Sequence, residues 1–248
     1  MHYLVFKAMP FAANGEVLHF FRHENISDHL SSVESAYKLF ASSLRDLNLK
    51  GISATRQIFP DEYSEAKIND EQLSSGSRLF AARETAEKAM WKHRGTILEI
   101  GVASGDHAVS LINSTQAVSY CGIDINFSQL SESSKKYLNE LSSSCNIQLI
   151  QKNSIVVLNE LIENSCYYDS IYIDANHWHY YVAGELGLCS KLVATGGRIV
   201  LNDYLDWFVG SMEPCGVKRA VNEFLLTNPG WCIDYFAIND CDISLVRR

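Results

Sequence analysis

From about Ser77 onward, apolar residues fall into two alternating patterns. Short continuous runs at 96–100, 118–124, 147–151, 169–174 and 197–202 are rich in Ile, Leu, Val and Tyr, as strands covered on both faces are. Between them, apolar residues recur at helical offsets over 106–114, 128–143, 154–164 and 179–193. Leu79, Phe80, Ala82, Ala86, Ala89 and Met90 predict a further helix over 78–93. Strands alternating with helices predict an α/β, doubly wound, mostly parallel sheet. The tail departs from this rhythm. A helix at 216–227 is followed by an apolar run at 231–237, an Asn239-Asp240 turn and a last run at 243–246. These closing runs predict an antiparallel hairpin at one sheet edge and bring the strand count to seven.

Residues 1–77 follow a different pattern. Two short strands, 1–6 and 17–22, flank Asn14-Gly15. Leu30, Val33, Ala36, Tyr37, Phe40, Leu44 and Leu47 predict a helix over 28–47. Residues 52–76 are polar and irregular, with Pro60 and Ser74-Ser75-Gly76, and read as a loop with a short helix around 61–67. The chain therefore divides into an N-terminal extension, 1–77, and a main domain, 78–248. The extension is expected to be a lid, a cap or a dimerisation arm of a homodimer, with Arg56, Phe59 and Tyr63 as weak pocket candidates.

Composition narrows the class. At 47% hydrophobic and 20% charged residues, the chain has the balance of a folded globular protein. A net charge of -8 without any basic run argues against nucleic acid as a partner. The seven cysteines are scattered with no CxxC pair, which fits reduced thiols and a cytoplasmic location. No stretch is apolar enough to predict a membrane span.

The candidate chemistry begins at Ile97-Leu-Glu-Ile-Gly101-Val-Ala-Ser104-Gly105, a strand running into a glycine turn and a helix. Such a junction lets a ligand lie against bare backbone near a helix N-terminus. The spacing Glu99-x-Gly101-x-x-x-Gly105 lacks the middle glycine of a dinucleotide fingerprint, and no P-loop pattern occurs. It resembles class I S-adenosylmethionine (SAM) methyltransferases, and so implies a Rossmann-like fold. Cys121-Gly-Ile-Asp124 adds a strand-end carboxylate suited to two ribose hydroxyls. The resemblance implies that Asn153 and Ser154 line the adenine edge. These two residues also suit a helix cap, and the two roles are compatible.

The most specific stretch is Tyr168-Asp-Ser-Ile-Tyr-Ile-Asp174-Ala-Asn-His177-Trp-His179, paired with Gly197-Arg-Ile-Val-Leu-Asn202-Asp203. Neighbouring parallel strands would bring Asp174, Asn202 and Asp203 to one edge, as hard oxygen ligands for Mg²⁺ or a similar cation. The pattern resembles metal-dependent O-methyltransferases of the catechol and caffeoyl-CoA type. It is equally similar to small-molecule and sugar O-methyltransferases with an Ile-Asp-x-x-His motif. That family ends its fifth strand in Asp-Asn, and the reversed Asn202-Asp203 leaves the third ligand open. A lysine base in the catechol type lies three residues after the strand-four Asp. His177 stands there in this chain, with His179 as the second choice. Trp178, Tyr180, Tyr181, Trp207 and Phe208 are candidates for pocket wall or core. Val217-Lys-Arg-Ala-Val-Asn-Glu-Phe resembles the helix after strand five in the Ile-Asp-x-x-His branch.

The expectation is a SAM-dependent O-methyltransferase, assisted by a divalent metal, acting on a small hydroxylated acceptor such as a vicinal diol, catechol or sugar. SAM would contact Glu99, Gly101, Ser104, Gly105, Asp124, Asn153, Ser154 and Asp174, with Asp174 and His177 catalytic. The competing expectations are a metal-independent methyltransferase, a SAM-binding protein without catalysis, and an NAD-dependent oxidoreductase. The glycine spacing disfavours the last.

Overall fold

Ile97, Leu98 and Ile100 are all buried because their strand lies inside the sheet, with a parallel neighbour on each side. The computed structural model describes residues 57–62, 66, 68–205 and 213–248. Its strands are β1 (Leu73–Phe80), β2 (Thr96–Ile100), β3 (Ser119–Asp124), β4 (Asn146–Gln151), β5 (Tyr168–Ile173), β6 (Val193–Leu201), β7 (Trp231–Ala237) and β8 (Asp242–Arg247). They form one sheet in the order β1-β7-β8-β6-β5-β2-β3-β4. Only β8 runs against its neighbours β6 and β7. The helices are α1 (Arg83–Met90), α2 (Asp106–Thr115), α3 (Glu132–Leu141), α4 (Ser154–Glu163), α5 (His179–Leu192) and α6 (Val217–Thr227).

Strand alternation splits the core into two layers. Ile97, Tyr172, Val200 and Tyr235 pack with Ala86, Ala108, Leu111 and Leu138 of α1, α2 and α3. Leu98, Ile100, Ile171, Ile173 and Ile199 pack with Val157, Leu186 and Val221 of α4, α5 and α6. Each such aliphatic side chain, fully buried, contributes about 1.5–3 kcal/mol. Helices thus cover both faces, as the alternating pattern predicts for this fold class.

Two expectations change. The sheet has eight strands, not seven, because Leu73–Phe80 adds in parallel outside β7. The helix predicted over 78–93 is shortened to α1, and the sheet takes in residues 73–77 of the expected extension. The reason is a period of two rather than 3.6. Leu79 enters one core layer and Phe80 the other. Ser77 Oγ donates to the Ile233 carbonyl at 2.6 Å. The helix starts only at Arg83, whose backbone N–H donates to the Asp240 carboxylate at 2.7 Å. The β7–β8 hairpin forms as expected, inside the added strand. Upstream, a 3-10 turn at Pro60–Glu62 stands at the start of the helix expected around 61–67, of which residues 63–65 and 67 lie outside the described residues. The expected strands 1–6 and 17–22, the helix 28–47, and Arg56, Tyr63, Trp207 and Phe208 lie outside the described residues.

The strand order reverses around β2, between β3 and β5, so a crevice opens at the carboxyl ends of these strands. Gly101 makes this crossing feasible. It has φ +89°, and a Cβ there would lie 2.0 Å from the Asp174 carbonyl oxygen. Gly187, inside α5, has nothing within 4 Å of such a Cβ. Gly101→Ala should therefore lose about 2 kcal/mol or more, whereas Gly187→Ala should gain up to about 1 kcal/mol. Urea denaturation of the two variants checks this, and the opposite ordering would refute the backbone-approach account.

Candidate functional site

A cavity of about 440 Å³ opens at the crevice. It is lined by Gly101 and Ala103 of the turn, Asp124 and Ile125 after β3, Asn153 and Ser154 at the start of α4, and Asp174 after β5. Four separate strand-to-helix junctions thus meet at one opening, within the usual size range of small-molecule sites.

Asp124 organises the turn itself. Its Oδ2 accepts from the Val102 and Ala103 N–H groups at 2.9 and 3.0 Å. Oδ1 accepts from Asn126 N–H at 3.1 Å. A carboxylate has about four acceptor positions, so capacity remains for ligand hydroxyls. The Val102 and Ala103 N–H groups, by contrast, are already committed to Asp124. Asn153 caps α4, its Oδ1 accepting from Ile155 and Val156 N–H. It also lines the cavity.

Glu99, Ser104 and Gly105 do not line the cavity. Glu99 is 1% exposed and faces the opposite helix layer, where it binds His107 Nδ1 at 2.7 Å and accepts from the Tyr120 hydroxyl. Ser104 Oγ donates to Asp106 at 3.0 Å. Gly105 leaves room for packing, because a Cβ there would meet Leu130 Cδ1 at 2.4 Å. The sequence groups these three with the turn, whereas the side chains of Glu99 and Ser104 are taken up by His107 and Asp106, and Gly105 lies against Leu130.

Asp174, His177 and Asp203 converge. His177 Nε2 lies 3.4 Å from Asp174 Oδ1 and 3.3 Å from Asp203 Oδ2. One ligand atom from each of the three lies within 4.8 Å of the others. Burial pulls the His177 imidazole down, but hydrogen bonding and charge from Asp174 and Asp203 outweigh it and lift its pKa to about 9. Burial raises the Asp174 pKa, against the pull of His177. Asp203 stands in the left-handed backbone region, φ 55°, which turns it out of the strand.

Asn202 does not join them. It is 7% exposed, and its amide donates to Asp242 Oδ1 at 2.9 Å and to the Asp240 carbonyl at 3.1 Å. It keeps the strand parity of Val200 and so faces the α1 layer, away from the three-residue cluster. The expected oxygen set of Asp174, Asn202 and Asp203 thus becomes Asp174, His177 and Asp203 as the group that converges. His179 is committed elsewhere, its Nε2 2.8 Å from Glu223 Oε2. Phe59 lies edge-on to Trp178 with ring centroids 5.5 Å apart, close in sequence to His177.

Residues 98–204 match the model of a family described as a methyltransferase domain. The matched segment contains the glycine turn, Asp124, Asn153, Ser154, Asp174, His177 and Asp203. No curated protein matches the chain. Among solved structures, it is similar to a ribosomal protein L11 methylase from Lactobacillus delbrueckii subsp. bulgaricus, with 18% identity, 66% of this chain and 76% of the other covered, and a TM-score of 0.46. It is similar to a putative rRNA-methylase from Clostridium thermocellum, with 17% identity, coverages of 66% and 95%, and a TM-score of 0.48. It is also similar to the O-methyltransferase TomG from Streptomyces achromogenes, with 14% identity, coverages of 79% and 88%, and a TM-score of 0.47. Likeness at this level assigns no acceptor.

The structure carries two features that periodicity alone does not reveal. One is Glu185, 2% exposed, which lines the cavity from α5. Its signal in the sequence is an acid within the buried stripe Val182, Leu186, Cys189. The other is a buried polar network behind the turn. His107 bridges Glu99 at 2.7 Å and Glu87 at 2.8 Å, and its ring lies 4.3 Å from that of Tyr172. The Tyr172 hydroxyl reaches Asp242, which also binds Arg83 and Asn202. Burial opposes the charge on His107, but Glu99 and Glu87 prevail and raise its pKa to about 10.

The sign of that shift dictates a pH effect. A histidine held at about 10 when folded, against an ordinary value of 6.5, stabilises the fold fully below 6.5 and loses that contribution as pH rises through 10. The stability difference between wild type and His107→Gln should be largest near pH 6 and shrink toward pH 10. Urea titrations across this range check it, and a constant difference would refute the ionic role of His107.

Proposed function

We propose that the chain transfers the methyl group of SAM to a hydroxyl of a small-molecule acceptor, with a divalent cation at the Asp174–His177–Asp203 cluster. The observation that carries this reading is the position of that cluster. It shares Asp174 with a cavity whose walls include Asp124, Asn153 and Ser154, inside the segment that matches the methyltransferase family model. SAM would lie along the turn, with its ribose hydroxyls on the free acceptor positions of Asp124 and its base against Ile125.

The donor chemistry fits a cation. Two carboxylates in mutual reach suit a divalent metal with positions left for water and substrate oxygens, and the imidazole stands beside them. The imidazolium of His177 that Asp174 and Asp203 favour would put positive charge where a cation would sit. Asp174 and Asp203 would hold the ion, and its positive charge would drive the proton from His177. Once neutral, His177 can accept the proton of the acceptor hydroxyl, which it cannot do as the imidazolium favoured near pH 7. A bound cation would supply Lewis-acid polarisation, lowering the pKa of the hydroxyl it contacts. The cavity would then align oxygen and methyl group, where positioning supplies much of the rate. Phe59 and Trp178 suit the acceptor side of this site, with the N-terminal segment as its cover.

The test combines titration and kinetics on the full chain. S-Adenosylhomocysteine should bind in calorimetry, and a panel of diols, catechols and sugars should include a methylated acceptor. EDTA should abolish turnover and Mg²⁺ restore it. Asp203→Asn should weaken Mn²⁺ binding and lower turnover about 100-fold or more, while His177→Gln keeps Mn²⁺ binding but loses about 100-fold in rate. Activity indifferent to EDTA would leave a metal-independent methyltransferase. Cofactor binding without transfer to any acceptor would count against catalysis.

A further inference from the structure

We propose that residues 59–62 and 66 strap together the two limbs of the Asp174–His177–Asp203 cluster, with Glu62 and Tyr204 as positioning residues. This rests on the cation reading above and goes beyond it, because the strap lies outside the matched segment 98–204.

The first limb runs from Asp174 into α5. The first N–H groups of a helix have no partner within it, and Trp178, at the cap position of α5, offers no side-chain bond to them. Glu62 supplies that bond from 117 positions upstream, its Oε2 accepting from His179 N–H at 2.6 Å. A carboxylate suits the positive end of the helix dipole. The Phe59 ring packs edge-on against Trp178 beside this bond. Asn176 Oδ1 accepts from Trp178 N–H at 2.8 Å, which ties the loop after Asp174 to the same turn. Gly216 N–H donates to the His177 carbonyl at 2.7 Å, and a Cβ at Gly216 would lie 2.5 Å from Glu62 Oε2. Strap, α5 and the start of α6 therefore meet at the backbone of His177.

The second limb is Asp203. Its left-handed backbone, φ 55°, is one that a residue with a side chain keeps when its surroundings over-determine it. Cys215 Sγ donates to the Asp203 carbonyl at 3.2 Å, and Tyr204 N–H donates to the Cys241 carbonyl at 2.8 Å. The Tyr204 hydroxyl donates to Asn222 Oδ1 of α6 at 2.6 Å. Asn222 Nδ2 in turn donates to the Ala66 carbonyl at 3.1 Å. Tyr204 and Asn222 are both buried, so water does not replace these bonds. Both ends of the Asn222 amide are thus spent on joining the residue after Asp203 to the strap. A helix cap needs only Glu62, and it gives no reason for a core asparagine to grip the chain four residues further on. The two attachments share one feature, which is that each ends beside a member of the cluster.

Mn²⁺ titration of the full chain by electron paramagnetic resonance, beside calorimetry with S-adenosylhomocysteine, tests the strap. Glu62→Ala and Tyr204→Phe should each weaken Mn²⁺ binding about fivefold or more, with the nucleoside affinity held within about twofold. Glu62→Gln keeps a side-chain carbonyl for the His179 N–H, so it should bring Mn²⁺ affinity back to within about twofold of wild type. A group that only caps a helix or fills the core would lower the urea midpoint and leave both affinities alone. That outcome, or equal weakening of both ligands, would overturn the strap. Glu62→Gln as weak as Glu62→Ala would overturn the bond to His179 as the means by which Glu62 acts. Wild type that binds the nucleoside but no Mn²⁺, or Mn²⁺ binding indifferent to Asp203→Asn, would overturn the cation reading and this inference with it.

Discussion

The contact between Gly101 and the carbonyl of Asp174 sets the geometry of the site. The turn after β2 passes so close to the end of β5 that a Cβ at residue 101 would overlap that oxygen. Asp174 N–H donates to the Ile100 carbonyl at 2.8 Å, which ties the two strand ends together. On the other side, Gly101 N–H donates to the Ile123 carbonyl at 2.8 Å, just before Asp124. One residue without a side chain thus holds two carboxylates at fixed positions on either side of one crevice. The expected ribose ligand and the expected reaction centre are registered by the same backbone.

The layer behind the turn carries the electrostatic load. His107, Glu87, Glu99, Tyr120, Tyr172, Arg83, Asp242 and Asn202 form a buried network across α1, α2 and four strands. Pairing offsets the desolvation of these groups, since a buried charge left without its partner is strongly destabilising. The network also withdraws Glu99 and Asn202 from the ligand-facing side. Their place at the site passes to a group on the other face, His177 beside Asp174. The division of polar residues between the two faces therefore decides which carboxylates are structural and which are available for chemistry.

Much of this was legible before the structure. Runs such as Thr96–Ile100 and Gly197–Leu201 are buried on both faces, and continuous apolar runs announce that directly. Asp124, Asp174 and Asp203 were readable because strand ends in a parallel sheet share one edge. Side-chain direction was not readable where two neighbours compete. Asn202 and Asp203 are adjacent, and only the left-handed backbone at Asp203 shows which one turns to the cluster. Leu79 and Phe80 suit a helix as well as a strand, and pairing with β7 decides between them. Glu185 lies far along α5 from any motif, so only folding shows that it reaches Ser154.

The central claim is that cofactor and cation meet at Asp174. A crystal structure of the full chain with S-adenosylhomocysteine and Mn²⁺, read by anomalous scattering, measures this most directly. The account predicts one manganese peak bound by Asp174 and Asp203 with His177 adjacent, and the cofactor ribose on Asp124. A peak elsewhere, or a nucleoside bound away from the turn at 101–105, would contradict it.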